Sequence, residues 1–299
     1  MYWWDNMKPL EQQTVLITGS TDGLGKQIAE AVAASGATVL LHGRNEAKLN
    51  ATLQEIRLAT GNDHLTGYVA DFSSLSDVRE LAKTIVAEHE QLDVLVNNAG
   101  VGFGQEQQAR DLSKDGYELR FAVNYLAPFL LTCLLRPLLV QSSPSRIVNV
   151  CSAGQEAIDF DDPLLERGFG AMRAYRQSKL ALIMHTFDLA SELCDQGVTV
   201  NCLHPATFMP TKLVLEAGIT PATPLEQGVG ATMRLIADPG LDGVTGRYFN
   251  GADETGAHPQ AYDLGARGHL RQISTRLVGL PGVADSELQL TVGASADVE

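Results

Sequence analysis

Six short, nearly continuous apolar runs alternate with helix-length stretches over the first two thirds of the chain. They are 14–18 (TVLIT), 38–42 (TVLLH), 65–70 (LTGYVA), 92–97 (LDVLVN), 146–151 (RIVNVC) and 198–204 (VTVNCLH). Unbroken apolar runs of this length suit parallel strands covered on both faces. Between the first two, Gly25, Ile28, Ala29, Val32 and Ala33 form a stripe at helical spacing. Further helical patterns fall near 46–59, 76–88, 117–139 and 171–195, and a seventh strand is expected around 246–250. Strand–helix alternation with right-handed crossovers predicts an α/β fold, a doubly wound parallel sheet of Rossmann type.

No linker-like stretch interrupts the pattern before residue 250. The reading is one domain over 12–250, with an N-terminal extension at 1–11 and a C-terminal helix and mobile tail at 251–299. In that last part, Ala266, Leu270, Ile273 and Leu277 make one more apolar stripe, and the chain from 281 is small and acidic. A stripe of this kind needs a cover. The expected cover is the chain's own loop around 208–215, ahead of a second subunit, so monomer and dimer both stay open.

Directly after the first strand comes TGSTDGLG (18–25), leading into the first helix. A dinucleotide pyrophosphate needs backbone N–H groups and the positive end of a helix, and side chains would block the approach. The position of this turn between a strand and a helix makes Gly19, Ser20, Thr21, Gly23, Leu24 and Gly25 cofactor-binding candidates. The second strand ends LLHGRN, with Arg44 and no acid. An acid there would bind the ribose of NAD, whereas arginine accommodates the 2′-phosphate of NADP, so NADP is expected over NAD. His42 reads as a packed strand-end residue with no role.

Tyr175 and Lys179 are four apart in a helical pattern and share one face. A phenol of ordinary pKa near 10 moves protons poorly at neutral pH, and a nearby ammonium is expected to lower that value. The pair can then act as general acid and base. Ser152 follows the fifth strand, at the carboxyl end of the sheet where ligands of open α/β sheets bind, and can hold a substrate oxygen.

TGSTDGLG, NNAG (97–100), VNYLAPF (123–129), NVCSAG (149–154) and YRQSK (175–179), in this order, resemble the motif set of the short-chain dehydrogenase/reductase family over about residues 12–250. The resemblance implies a catalytic tetrad of Asn124, Ser152, Tyr175 and Lys179. Lys179 would also bind the nicotinamide ribose, and Asn124 would sustain a proton relay through water. It implies cofactor contacts from Asp71 and its neighbour Phe72 at the adenine, and from Asn98, Ala99 and Gly100 beside the adenosine ribose. Pro205 and Thr211 would come from the loop over the nicotinamide. Asp22 stands where many NADP-preferring members carry a basic residue, and Ala206 replaces the usual glycine after the proline. The long segment between Ser152 and Tyr175 resembles the branch of retinol dehydrogenases and light-dependent protochlorophyllide reductases.

The reaction implied is hydride transfer between nicotinamide and a carbonyl or alcohol. The alternative is an NADP-binding sensor or scaffold of the same fold without turnover; such proteins usually lose the tyrosine or lysine, and both are kept here. Another reaction on this scaffold, such as dehydration or epimerisation, stays open. Phe103, Phe160, Phe169, Met172, Phe208, Met209 and Leu213 are candidate pocket residues, pointing to an apolar small-molecule substrate.

A net charge of −14 without a basic patch argues against nucleic acid or an anionic membrane surface as partner. Cys133, Cys151, Cys194 and Cys202 form no metal-ligand spacing and the seven histidines are scattered, so no metal is expected, and free thiols suit the cytoplasm. The longest apolar run, 129–140, contains Arg136 and Pro137 and reads as too short to span a bilayer.

Overall fold

In the computed structural model, residues 7–104 and 109–281 are described. Among them, β1 (Thr14–Ile17), β2 (Thr38–Gly43), β3 (Leu65–Val69), β4 (Val94–Asn97), β5 (Ser145–Val150), β6 (Val198–His204), β7 (Tyr248–Asn250) and β8 (Asp253–Thr255) form one sheet. The order is β3-β2-β1-β4-β5-β6-β7-β8. All neighbours are parallel except β7 and β8. The chain moves outward from β1 to β3, then crosses back to β4 on the other side of β1. That reversal opens a crevice at the carboxyl ends of β1 and β4.

The helices are α1 (Gly23–Ala34), α2 (Glu46–Thr60), α3 (Leu75–Glu88), α4 (Leu119–Phe121), α5 (Ala127–Gln141), α6 (Ala171–Leu193), α7 (Lys212–Glu216), α8 (Leu225–Ala237) and α9 (Leu264–Leu277). Alternate residues of each central strand feed opposite cores. Val15, Ile17, Val39, Leu41, Val94 and Val96 pack with α1, α2 and α8. Leu16, Leu40 and Leu95 pack with α3, α5, α6 and α9. This two-sided burial is why the strands read as unbroken apolar runs.

Three of these elements lie outside the sequence expectation, α7, α8 and β8. The buried face of α8 is Gly228, Ala231, Thr232, Leu235 and Ile236, with Leu225, Val229 and Met233 packed beside it, a stripe the sequence reading did not pick out. β8 is three exposed polar residues, turned back on β7 through Gly251 at φ +62°. The sheet therefore continues past residue 250.

The helix through α4 and α5 is longer than its apolar run. A π-helical segment, Ala122–Leu126, joins the two. Leu119–Gln141 then makes 23 residues, long and apolar enough to cross a membrane by length and composition, so shortness does not argue against a span. Its apolar window is 72% buried inside the fold, which accounts for its composition in another way.

The cover of α9 is also different from the expectation. Leu270 and Val278 enter the core that holds α5 and α6. The Tyr125 hydroxyl meets Ser274 Oγ at 2.6 Å, the Tyr117 hydroxyl donates to the Leu277 carbonyl at 2.9 Å, and Arg267 pairs with Asp188 at 2.9 Å. The helix thus lies on α5 and α6, away from the 208–215 loop, because its interior positions combine an aliphatic stripe with a serine and two arginines matched on those helices. The tail expected to be mobile falls mostly at 282–299, outside the described residues.

Candidate active site

A cleft of about 880 Å³ opens at the carboxyl ends of the strands. One end is walled by the turn after β1, the end of β2 and the Asp71 loop; the other holds Ser152, Tyr175 and Lys179.

The turn is shaped by close backbone packing. Gly19 has φ +65°, and a Cβ on it would lie 2.8 Å from Ala99 Cα. A Cβ on Gly25 would lie 2.3 Å from both Asn98 Nδ2 and the Gly19 carbonyl oxygen. Neither position admits a side chain. Thr18 Oγ1 accepts from the N–H groups of Asn98 at 2.9 Å and Ala99 at 3.0 Å. Asn98 Nδ2 returns a bond to the Thr18 carbonyl at 2.9 Å. The NNAG segment is therefore a brace for the turn as well as a wall of the cleft.

His42 is a second brace. It is buried, its Nδ1 accepts from the Gly19 N–H at 3.1 Å, and its Nε2 bonds the Ala70 carbonyl at 3.0 Å. Its ring stacks on Phe72 at 4.2 Å between centroids. Burial pushes its pKa down to about 4, so it is neutral, as an accepting Nδ1 requires. Ser20 is fully buried and exchanges bonds with the His42 backbone, off the cleft wall.

At the far side of the turn, Arg44 lines the cleft and makes no ion pair among the described residues. Lys48, one turn into α2, also lines it and pairs with Asp22. The hydrogen bond to Lys48 is the largest influence on Asp22 and holds its carboxyl below the usual range. Asp71 lines the cleft with Phe72. Partial burial would raise its pKa, but hydrogen bonds from Ser73 and the Lys114 ammonium, 3.1 Å away, bring it down overall.

Ser152 stands just past β5, with its Oγ accepting from the Gly154 N–H at 3.0 Å and its carbonyl accepting from the Tyr248 hydroxyl at 3.1 Å. Tyr175 lies on α6, with the edge of the Phe103 ring against it, 5.4 Å between centroids. Lys179 sits one turn on, Nζ donating to the Val150 carbonyl at 2.9 Å and lying 5.9 Å from the Tyr175 ring centre. Burial pushes the Lys179 ammonium down and the Tyr175 phenol up, the latter against a hydrogen bond with Ser152 that lowers it. In this arrangement burial outweighs the Ser152 bond at the phenol, and the Lys179 ammonium is directed at the end of β5.

Asn124 lies in the π-helical segment, off the cleft wall. Its Oδ1 accepts from the Val101 N–H at 2.8 Å, and its Nδ2 donates to the Val101 carbonyl at 3.1 Å and to Ser178 Oγ at 3.0 Å. A π-bulge re-aims one side chain out of helical register, and here it lets one amide clamp the backbone after β4. Gly100 lies against both Asn124 and Lys179.

The other wall comes from the loop after β6. Pro205 and Thr211 line the cleft, with Gly23 packed against Thr211. Leu24, Thr21, Ala99 and Gly100 line it too. Of the apolar candidates, Phe103, Met172, Phe208, Met209 and Leu213 are on the wall. Phe160 stacks on His269 at 4.6 Å and Phe169 sits under Arg120, so these two are not.

A family profile described as short chain dehydrogenase matches residues 13–218. The chain belongs to the short-chain dehydrogenase family. It is accordingly an oxidoreductase of alcohol and carbonyl groups working with a nicotinamide dinucleotide. It is 37% identical to human retinol dehydrogenase 13 over 92% of this chain and 88% of that protein. A crystal structure of an uncharacterised protein from Mycobacterium paratuberculosis is 27% identical, with a TM-score of 0.74 over 93% of this chain and 97% of that one. A short-chain dehydrogenase from Shigella flexneri, solved with NADP, is 27% identical with a TM-score of 0.64 over 81% and 98%. In this short-chain dehydrogenase, Thr18 and Tyr248 brace the site without having been singled out in the sequence, and His42, read as a packed strand-end residue, is packed and also holds the turn. Thr18 had a visible signal as the first residue of the glycine turn; the other two act through contacts that no spacing reveals.

Proposed function

We propose that the protein is an NADP(H)-dependent oxidoreductase of apolar carbonyl compounds and alcohols, with Tyr175 as the general acid and base. The observation that carries this reading is the convergence of Ser152, Tyr175 and Lys179 at one end of a cleft whose other end holds the glycine turn and Arg44. The residues fit the dinucleotide: a backbone cradle with no room for side chains suits a pyrophosphate, and an arginine with no ion pair among the described residues suits a 2′-phosphate. Neighbours solved with NADP or NADPH support that choice. When bound, the nicotinamide supplies or accepts hydride.

The chain's own residues do the rest. Ser152 Oγ holds the substrate oxygen. Tyr175 gives that oxygen a proton in reduction and removes it in oxidation. Lys179, Asn124 and Gly100 form one packed cluster that fixes where the tyrosine stands relative to the ribose end of the cleft. Phe103, Met172, Phe208, Met209 and Leu213 supply an apolar wall, in keeping with relatives named retinol dehydrogenases. A cytoplasmic setting completes the reading, supported by four free cysteines and the burial of the apolar helix.

Tyr175→Phe should keep the fold and NADPH binding and lose at least ~100-fold in turnover of an aldehyde panel. Lys179→Ala should damage both turnover and NADPH affinity. Near wild-type turnover in Tyr175→Phe would end this mechanism. Quenching of NADPH fluorescence by a wild type inert to the whole panel would instead favour the sensor.

A further inference from the structure

Arg120 and Glu118 form an ion pair that is almost wholly buried, 3% and 1% exposed, and the reaction described above uses neither. Glu118 caps the start of α4, with Oε2 accepting from the Phe121 N–H at 2.8 Å and Oε1 accepting from Arg120 at 3.1 Å. The same guanidinium donates through Nε to the Gly102 carbonyl at 2.9 Å and stands 5.9 Å from the centre of the Phe169 ring. Among the described residues, one planar fork thus joins three segments distant in sequence.

Two of the segments reach the substrate side of the cleft through Phe103 and Leu119, and the third leads into the helix that carries Tyr175. Gly102 precedes Phe103, whose ring edge rests on Tyr175. Gly102 itself packs on Leu213 of the loop after β6, where a Cβ would come within 2.7 Å of Leu213 Cγ. Phe169 immediately precedes Gly170, the cap residue of the helix that carries Tyr175. A buried ion pair is a poor device for stability alone, since desolvation offsets much of its attraction, and geometric specification is its better-attested use. Five donors in a rigid fork can hold a carboxylate and a carbonyl while one face lies on a ring; an ammonium cannot.

We propose that Arg120 is a positioning residue for the substrate side of the site, fixing Phe103 and Phe169 relative to Tyr175 and so selecting for bulky carbonyl compounds. The consequence for the reaction rests on the proposed function; the placement of the segments does not.

The test uses the full chain as Arg120→Lys, which keeps a cation for Glu118 while losing the fork. Hydrogen exchange read by mass spectrometry should rise about tenfold or more at residues 99–104 and 165–171 and stay unchanged in β4 and β5. With NADPH affinity unaltered, kcat/KM for cinnamaldehyde should fall about tenfold or more, and for propanal less than about twofold. If Arg120→Lys does not fold, the double variant Glu118→Gln with Arg120→Gln removes both charges and takes the same measurements. Unchanged exchange in both segments, or an equal rise in β4 and β5, would overturn the proposal. A wild type inert to both aldehydes would count against the proposed function alone, because the exchange result still decides the role of Arg120.

Discussion

At the scale of single residues, crowding and charge decide what the cleft can accept. Gly19 and Gly25 are glycines because Ala99, Asn98 and the turn's own carbonyl fill the space a Cβ needs. Both positions were legible in TGSTDGLG, since a strand, a glycine turn and a helix in that order leave few other purposes. The charge balance at the adenosine end was only half legible. Arg44 follows β2 and is read directly, but Lys48 is brought to Asp22 by the winding of α2, so the acid that weighed against NADP is already neutralised by a neighbour. With that opposition removed, Arg44 should govern the choice of cofactor. NADPH is expected to bind better than NADH by roughly 1–3 kcal/mol, the size of a charge-assisted hydrogen bond. Arg44→Ala should erase most of that gap, measured by titration of nucleotide fluorescence. Equal affinity for the two nucleotides in the wild type would remove the basis for this assignment.

At the scale of elements, the helix that carries Asn124 is tied to the C-terminal helix through a buried hydrogen bond as well as the shared core. Tyr125 is 1% exposed and its hydroxyl bonds Ser274 Oγ, which itself donates to the Leu270 carbonyl at 2.7 Å. With the serine proton committed to that carbonyl, the phenol must be the donor. The two deletions are therefore unequal. Tyr125→Phe removes a donor and leaves Ser274 still bonded, so it should cost about 1 kcal/mol. Ser274→Ala strands a buried phenol proton and should cost about 1–3 kcal/mol. Urea midpoints of the two variants measure the difference, and a larger loss for Tyr125→Phe would show that the contact is oriented otherwise. None of this was visible beforehand. The stripe Ala266, Leu270, Ile273 and Leu277 announced a helix with a hidden face, but a stripe names no partner. Ser274, lying between two of its members, is the anchor. The same limit hid β8, whose pairing depends on a turn at Gly251.

At the scale of the whole molecule, the alternating pattern was enough to give the doubly wound parallel sheet and the end at which ligands bind, because right-handed crossovers leave little freedom once the strands are known. It could not give the arrangement of the segments beyond that frame. Residues 155–160 bond to the C-terminal part: Gln155 accepts from the His258 N–H at 2.7 Å, and Gln260 bonds both polar groups of the Ile158 backbone. The inserted stretch and the C-terminal segment are thus one layer laid over α5 and α6. Removing residues 257–299 would strip that layer and bare Tyr125, Phe129, Leu189 and the neutral, buried His185. An apolar face of that kind does not stay in water. The truncated chain should unfold at lower urea and gain mass with concentration in light scattering, with turnover falling because Tyr125 adjoins Asn124. A truncated chain of unchanged mass and midpoint would mean that the face is covered by something other than α9. A fall in mass would make α9 an assembly element, since a cover within one chain cannot lower the number of chains when it is removed.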